Sequence, residues 1–327
     1  MKAIVQDRYG DSSVLHLADV PVPAIGDNDV LIDVRATSLN IGDVHLMTGL
    51  PLIVRPFIGW RGPRQKIRGM DVAGLVHSVG AGVTAFAPGD EVFGVVSAGL
   101  AEFARASVKK IAPKPPSLSF EQASAIPTSA ATALHALRDA GRLQPGQRVL
   151  IIGASGGVGI FATQLAHAFG AHVTGVCSTA KLDLVRSLGA DEVIDYTTTD
   201  FALSGERYNL IVDMVSSHSV PALRRALSAD GTLVIVGGER GSRLLGGLSR
   251  AMFAPLRGIG SKQRLRGLVS VTSAGDLATL AKFVEADKLV PVIGETAVLG
   301  ETPGAAGRLL SGHAVGKVVI TPTVLAE

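Results

Sequence analysis

The chain has 327 residues, of which 47% are hydrophobic, so it is long enough for two domains with substantial cores. Its formal net charge of +3 gives no argument for a nucleic-acid partner, and its single cysteine, Cys177, excludes a disulfide framework and a multi-cysteine zinc site. No signal-peptide core is visible in residues 1–7, and no window reaches the roughly 18 to 20 uncharged apolar residues of a transmembrane helix. We expect a cytoplasmic globular protein.

The first part of the chain, up to about residue 120, has the pattern of a β-rich domain. Short apolar segments alternate with glycine and proline turns such as Pro88-Gly89-Asp90, in which proline presets φ and glycine allows a positive φ. Short strands at this spacing favour a small, partly open barrel. The clearest predicted strands are residues 2–5, 29–35, 72–79 and 91–96.

A glycine-rich turn follows the first strongly apolar segment of the second part. Residues 149–152 predict a buried strand, and Gly153, Gly156 and Gly159 then open the segment 160–169, whose apolar residues have helical spacing. A strand, a glycine turn and a helix form the first unit of a dinucleotide-binding fold, in which the pyrophosphate lies at the helix N-terminus. The pattern therefore predicts a nucleotide site at this turn.

Strands and helices alternate after residue 148, which predicts a doubly wound parallel sheet. A helical pattern also covers residues 120–140, and the tail is expected to return to the first domain. The predicted domains are 1–120 completed by 275–327, and 121–274. The predicted strands of the second domain are 148–153, 171–177, 191–195, 208–214, 231–237 and 267–272, with helices near 157–169, 180–188 and 218–228; the tail is predicted to hold helices at 277–286 and 303–310 and a strand at 317–320.

The end of the second predicted strand of this sheet indicates the cofactor. An acidic residue there would accept hydrogen bonds from the ribose 2′-hydroxyl of NAD, whereas hydroxyl and cationic groups suit the 2′-phosphate of NADP. The strand is followed by Ser178 and Lys181, with no acid before Asp183, and Tyr196 follows the third strand. We therefore expect NADP(H), although an ordinary helix cap with a solvated lysine explains the same residues.

Several motifs, in their order and spacing, resemble the zinc-independent quinone oxidoreductase branch of the medium-chain dehydrogenase/reductase superfamily, which includes zeta-crystallin-like proteins. The resemblance extends over almost the whole chain, and it implies an α/β architecture with a GroES-like β-barrel catalytic domain and a Rossmann doubly wound parallel sheet. The active site is implied to lie between the two domains. Besides the glycine turn, the motifs are residues 38–43, 69–74, 79–83, 86–93, 127–134, 188–196 and 312–320.

The chain departs from the zinc-bearing members of that superfamily at their metal ligands. Asn40 stands where those proteins have a cysteine, and Gly69-Met70-Asp71 stands where they have Gly-His-Glu. Asparagine and methionine are poor zinc ligands, so we expect no metal site. Without a Lewis acid, the expected substrates are quinones or enones, which stabilise an incoming hydride electronically.

The resemblance also implies which residues form the site. Asn40 and Asp43 are placed on a loop facing the nicotinamide, Asn40 as a hydrogen-bond donor and Asp43 as a group that fixes the loop. His45 stands where some relatives have a tyrosine, and it is either a proton donor or a hydrogen-bonded loop histidine. The implied cofactor contacts are Thr132, Ser155, Gly156, Gly157, Val158, Ser178, Lys181, Tyr196, Val236, Gly237, Gly238, Val271 and Thr272.

Two alternatives to this function stay open on the sequence alone. One is a zinc-free alcohol dehydrogenase or ketone reductase, and the other is a non-catalytic NADPH-binding module that acts through RNA or a protein partner. The expected partners are a small-molecule quinone or enone, with no nucleic acid, and a second copy of the chain in a homodimer. The basic segments 55–68 and 240–268 are interpreted as solvated surface or a mobile substrate lid, or alternatively as a peripheral membrane contact.

Overall fold

The computed structural model describes residues 1–237, 243–258, 260–312 and 314–322, with the backbone alone at 248 and 255–257. The strands are β1 (Lys2–Gln6), β2 (Leu15–Asp19), β3 (Asp29–Leu39), β4 (Asp71–Val79), β5 (Glu91–Val95), β6 (Phe103–Ser107), β7 (Ile111–Pro113), β8 (Arg148–Ile152), β9 (His172–Cys177), β10 (Glu192–Asp195), β11 (Tyr208–Asp213), β12 (Leu227–Ile235), β13 (Arg264–Gly267), β14 (Ile293–Val298) and β15 (Lys317–Thr321). The helices are α1 (Ile41–Thr48), α2 (Arg55–Ile58), α3 (Phe120–Ser124), α4 (Pro127–Leu134), α5 (Gly159–Ala168), α6 (Leu182–Ser187), α7 (Val220–Arg225), α8 (Leu248–Arg257), α9 (Ala274–Glu285) and α10 (Thr302–Leu310).

The chain divides into two compact units. The first unit consists of Met1–Ala131 and Val271–Glu327, and the second of Thr132–Ser270. The first unit thus extends beyond residue 120, because α3 packs against β3 and β4.

The first unit is built around β3, a long strand whose residues are mostly buried. Its sheet has the order β14-β15-β3-β4-β5-β7, with β6 also paired to β3, and a separate hairpin joins β1 to β2. β15 pairs antiparallel with β3, so the C-terminal tail is part of this sheet. The core beneath β3, β4 and β5 is aliphatic and includes Val30, Ile32, Val72 and Val92.

The second unit is a six-stranded parallel sheet with the order β10-β9-β8-β11-β12-β13. Numbered from its own first strand, this order is 3-2-1-4-5-6, the doubly wound topology that the alternating pattern predicts. The prediction of this sheet is confirmed. Leu150, Ile211 and Leu233 are fully buried in its centre because a parallel sheet is covered on both faces.

Three predicted elements differ from the structure. The sixth strand of the second unit lies at Arg264–Gly267, not at 267–272. Its sequence lacks the apolar pattern of a strand, because at the sheet edge only Leu265 is buried. The predicted helix 120–140 is divided into α3, α4 and a π-helix at His135–Ala140, and α4 begins at Pro127 because proline disfavours helical backbone at the residue before it. The loop expected to carry Asn40 and Asp43 is a helix, α1.

Within the described ranges, no single helix is long and apolar enough to cross a membrane, although the bent pair Ile41–Thr48 and Leu52–Ile58 passes by length and composition. The basic segment 240–268, interpreted above as a mobile lid, contains α8 and β13 in its described part. β13 pairs with β12, so this portion belongs to the parallel sheet.

Candidate active site

Three strand ends of the first unit bring polar residues together. Ser38 lies opposite Asp71 in the β3–β4 pair, and Leu39 lies opposite Val318 in the β3–β15 pair. Asn40 directly follows Leu39, and Lys317 directly precedes Val318. The pairing register therefore places Asn40, Asp71 and Lys317 side by side at one edge of the sheet.

Lys317 is the centre of this cluster and is only 2% exposed. Its ammonium donates hydrogen bonds to Asn40 Oδ1 and to Ser129 Oγ, and it lies 3.7 Å from Asp71 Oδ2. Burial lowers the pKa of Lys317, whereas the carboxylates of Asp71 and Asp43 act to raise it. Sequence reasoning placed Lys317 only as the start of a strand, so the structure adds it to the candidate site.

The amide of Asn40 is fully engaged by this cluster. Its Oδ1 accepts from Lys317 and from Ser129, while its Nδ2 donates to Asp71 Oδ2 at 2.9 Å and to the Ser38 carbonyl at 3.4 Å. An asparagine amide has two N–H donors, and both point into the protein. In this arrangement Asn40 fixes the start of α1 and offers no donor to a substrate.

Asp43 fixes the same helix start from its third position. Its Oδ2 accepts from the Asn40 backbone N–H at 2.9 Å, and its Oδ1 accepts from the Gly69 N–H at 3.2 Å. The first bond satisfies a donor that a helix N-terminus otherwise leaves unpaired. Burial raises the pKa of Asp43 to about 6, and the neighbouring Asp71 carboxylate adds to the rise.

The raised pKa predicts how stability changes with pH. Folded Asp43 retains its proton up to about pH 6, whereas the unfolded chain loses it near the ordinary value of 3.8. The contribution of Asp43 to the free energy of unfolding is therefore fully present below pH 3.8 and is lost as the pH rises through about 6. The loss is at most about 3 kcal/mol. Urea unfolding of wild type and of Asp43→Asn at several pH values between these limits measures it. A constant difference between the two proteins across that range contradicts the expectation.

His45 lies on α1 two residues after Asp43 and is half-buried. Residues at that spacing on a helix do not share a face. A cavity of about 300 Å³ in the first unit is lined by Asp43 and Leu46 of α1 and by Met70, but His45 is not among the described residues that form its walls. The structure therefore separates His45 from the side of α1 on which Asp43 lies.

Three glycines in the turn after β8 have different structural roles. Gly153 directly follows β8 and has φ +90°, a conformation that favours glycine. A Cβ on Gly159 would lie 2.0 Å from the Gly153 carbonyl oxygen, so only glycine allows α5 to start this close to the strand. A Cβ on Gly156 meets nothing nearer than 3.4 Å, which leaves this backbone open to a ligand. These are the three roles of glycine in a dinucleotide turn.

The other proposed cofactor contacts of this unit lie at strand ends on the same edge of the sheet. The turn containing Ser155, Gly156, Gly157 and Val158 follows β8, Ser178 follows β9, and Lys181 and Tyr196 lie close behind β9 and β10. The Tyr196 N–H donates to the Cys177 carbonyl at 3.1 Å, which joins the two strand ends. Ligands of doubly wound sheets bind at the carboxyl ends of the strands.

Asp195 is an acidic residue at this edge that sequence reasoning missed. It lies opposite Cys177 in the β9–β10 pair, and its carboxylate accepts hydrogen bonds from Thr179 Oγ1 at 2.6 Å and from the N–H and hydroxyl of Thr197. The Thr179 bond is the main cause that lowers the pKa of Asp195. The signal was available, because neighbouring parallel strands end at the same edge and Asp195 ends the third strand.

The remaining proposed contacts are divided between the two units. Val236 and Gly237 follow β12, where the Gly237 carbonyl accepts from Ser216 Oγ at 2.7 Å, whereas Gly238 lies outside the described residues. Thr132 is a buried residue of α4 in the second unit. Val271 and Thr272 were expected to end the sixth strand, but they follow β13 and belong to the first unit.

Comparison with known proteins gives the same architecture. The family model "Alcohol dehydrogenase GroES-like domain" matches residues 26–116, and the model "Zinc-binding dehydrogenase" matches residues 188–320. The structure of the quinone oxidoreductase from Coxiella burnetii is similar with a TM-score of 0.86 and 30% identity, over 99% of each chain. The GroES-like and Rossmann assignments are thereby confirmed.

Curated relatives are similar over most of their length. The chloroplastic quinone-oxidoreductase QR1 of Triphysaria versicolor is 35% identical over 98% of both chains. The mitochondrial NAD(P)H oxidoreductase RTN4IP1 of Bos taurus is 36% identical over 98% of this chain and 89% of its own. The chain belongs to the medium-chain dehydrogenase/reductase superfamily of nicotinamide-dependent oxidoreductases, among its quinone oxidoreductase-type members.

Proposed function

We propose that this protein transfers a hydride from NADPH to a quinone or to an α,β-unsaturated carbonyl compound, without zinc. The observation that carries the proposal is the buried cluster of Asn40, Asp71 and Lys317, in which Asn40 stands where zinc-bearing relatives have a cysteine and Asp71 where they have a glutamate.

The side chains at these positions do not fit a zinc ion. Asn40 and Met70 replace ligands of the zinc-bearing members, and a neutral amide or thioether binds zinc poorly. The amide oxygen of Asn40 already accepts from Lys317, so the cluster contains a cation of its own. Across the part of the chain that the structure describes, no group of three or more His, Cys, Asp or Glu side chains is arranged to hold a metal.

The second unit fits a dinucleotide. The open backbone at Gly156 and the N-terminus of α5 suit a pyrophosphate, and Ser178, Lys181 and Tyr196 suit a 2′-phosphate. When bound, the nicotinamide supplies a hydride, which is the difficult part of the chemistry. The protein's own contribution is to position the reactants. In the first unit this falls to Asn40 and Asp43, which hold the start of α1.

The choice of quinones and enones follows from the charge that hydride transfer leaves behind. Reduction of a simple ketone develops an alkoxide, which needs a Lewis acid or a strong proton donor. A quinone or an enone instead delocalises the charge onto an oxygen that solvent can protonate. Asn40 has no free donor and Asp43 accepts two hydrogen bonds, so these two residues fit the second class of substrate better.

Product analysis tests the substrate class. The protein, with its metal content measured, is incubated with NADPH and an enone that carries both a C=C and a C=O bond. Saturation of the C=C bond by zinc-free protein is expected. Reduction of the C=O bond, or activity that appears only with stoichiometric zinc, would refute the proposal in favour of an alcohol dehydrogenase.

Removing the positive charge of Lys181 is expected to weaken NADPH binding by about tenfold and to leave NADH binding unchanged, because only NADPH carries the 2′-phosphate. Fluorescence titration of Lys181→Gln with both cofactors measures the effect. Asp195→Asn should have the opposite effect on NADPH affinity. It removes a negative charge near the same strand ends and should tighten NADPH binding. Equal losses for NADPH and NADH in Lys181→Gln would contradict the assignment.

Two expectations from the sequence stay proposals. A homodimer is proposed from the family alone. The cytoplasmic location is also proposed, although the relatives named above are chloroplastic or mitochondrial.

A further inference from the structure

The 300 Å³ cavity of the first unit combines apolar walls with an unusual cation. Leu46, Phe57, Ile58, Met70 and Val96 supply most of the apolar lining. Arg68 also lines the cavity and is only 5% exposed. Buried arginines are normally paired with carboxylates, so the partners of this one decide what the cavity can hold.

Arg68 has more donors than the protein satisfies. Its Nε donates to Gln6 Oε1 at 3.0 Å. Its Nη2 is buried and has no hydrogen-bond partner among the described residues. Burial lowers the pKa of Arg68, but an arginine stays protonated in proteins, so the result is a buried cation with an unused donor. Leaving such a group unpaired is costly, which indicates that an acceptor completes it.

The other charged groups at the cavity do not supply that acceptor. Both oxygens of Asp43 already accept backbone N–H bonds, and its carboxylate acts on Arg68 through its charge, without a hydrogen bond to Nη2. Arg64 is exposed and adds positive charge at the same wall. The fixed charge around the cavity is therefore two guanidinium groups against one carboxyl.

We propose that this cavity binds the carboxylate of an amphiphilic substrate, with the Arg68 guanidinium as the cationic group and the apolar walls around its hydrocarbon part. The proposal deepens the function proposed above and rests on it, because it names the substrate class as acid-bearing enones or quinones. A carboxylate suits the site since a charged acceptor makes a stronger hydrogen bond to guanidinium than a neutral carbonyl does.

A matched pair of substrates tests this inference. Benzalacetone with a para-carboxylate and its methyl ester share the same enone, and the charged group lies far from the reacting bond. Wild type is expected to have a kcat/KM at least about tenfold higher for the acid, a difference that corresponds to ~1.4 kcal/mol. In Arg68→Met the KM for the acid should rise about tenfold, and the ester should be reduced as in wild type.

The control variant is Lys66→Gln, which removes the same charge two residues away at an exposed site outside the cavity. It should leave both substrates unchanged. Arg68→Met keeps an unbranched side chain and removes the charge, and thermal unfolding checks that the variant folds. If Arg68→Met does not fold, Arg68→Lys is the alternative variant. It keeps the positive charge but lacks the planar set of guanidinium N–H donors, so it should lose part of the preference for the acid.

A binding measurement separates this inference from the proposed function. Calorimetric titration of the wild-type protein compares hydrocinnamate with hydrocinnamide, neither of which can be reduced. Tighter binding of hydrocinnamate, lost in Arg68→Met, supports the carboxylate site even if no enone is turned over, which would contradict only the proposed function. Equal binding of the two compounds, or an equal loss of acid and ester turnover in Arg68→Met, would overturn the inference.

Discussion

Replacing Lys317 with methionine is expected to lower the free energy of unfolding by about 3–5 kcal/mol, because it leaves buried carboxylates without their cation. Lys317 is 2% exposed and donates to Asn40 Oδ1 and Ser129 Oγ, with Asp71 Oδ2 3.7 Å away. The loss should also release the Asn40 amide and with it the start of α1. We therefore expect kcat/KM with NADPH and a quinone to fall by about tenfold or more.

A double-mutant cycle distinguishes the charge from the packing. Asp71→Asn combined with Lys317→Met removes both charges and should recover part of the lost stability, with a coupling energy of about 0.5–3 kcal/mol. Lys66→Met is the control, since that lysine is exposed and its pair with Asp7 is at the surface. Urea unfolding is measured for the four proteins of the cycle and for the control. If Lys317→Met is no less stable than Lys66→Met, the buried ion pair does not hold the cluster together.

The glycine turn gives the second large effect, as a contrast between two alanine substitutions. In Gly159→Ala the new Cβ would lie 2.0 Å from the Gly153 carbonyl oxygen and 2.7 Å from the Ala154 carbonyl carbon, both backbone atoms. The turn or α5 must shift, which should cost about 1–3 kcal/mol of stability. In Gly156→Ala the nearest atom is at 3.4 Å, so stability should change by less than about 0.5 kcal/mol.

NADPH binding should respond to Gly156→Ala although the fold does not. If the pyrophosphate lies against this backbone, the added methyl group should weaken NADPH binding by about tenfold or more, equal to at least ~1.4 kcal/mol. Fluorescence titration and thermal unfolding on the same samples separate affinity from stability. An unchanged Kd for NADPH in a stable Gly156→Ala protein would show that the pyrophosphate binds elsewhere.

Much of the second unit could be predicted because its signals are local. The apolar run 149–152 and the glycines at 153, 156 and 159 lie close together in the sequence. The alternation of strands and helices predicts a doubly wound parallel sheet through general rules of handedness and connection. The strand Arg264–Gly267 was missed because an edge strand buries only alternate residues. In this short strand a single leucine is buried, which is too little for a recognisable apolar pattern.

The first unit was less predictable because its site depends on pairing between distant strands. Lys317 reaches Asn40 only through the β3–β15 register, across 277 residues of chain. A lysine at the start of an otherwise apolar strand was the available signal. The segment of α1 was expected to be a loop from the resemblance alone, although Asn40 and Asp43 have the spacing of a helix start. Arg68 was seen only as part of a basic stretch, since burial cannot be read from charge.

Hydride transfer from NADPH is tested most simply by the steady-state loss of NADPH absorbance in zinc-free protein. Quinones, enones and simple ketones are compared under one set of conditions, with NADH as the second cofactor. We expect turnover of quinones or enones with a clear preference for NADPH, and little turnover of simple ketones. NADPH binding without turnover of any of these compounds would contradict it and would favour a non-catalytic NADPH-binding module.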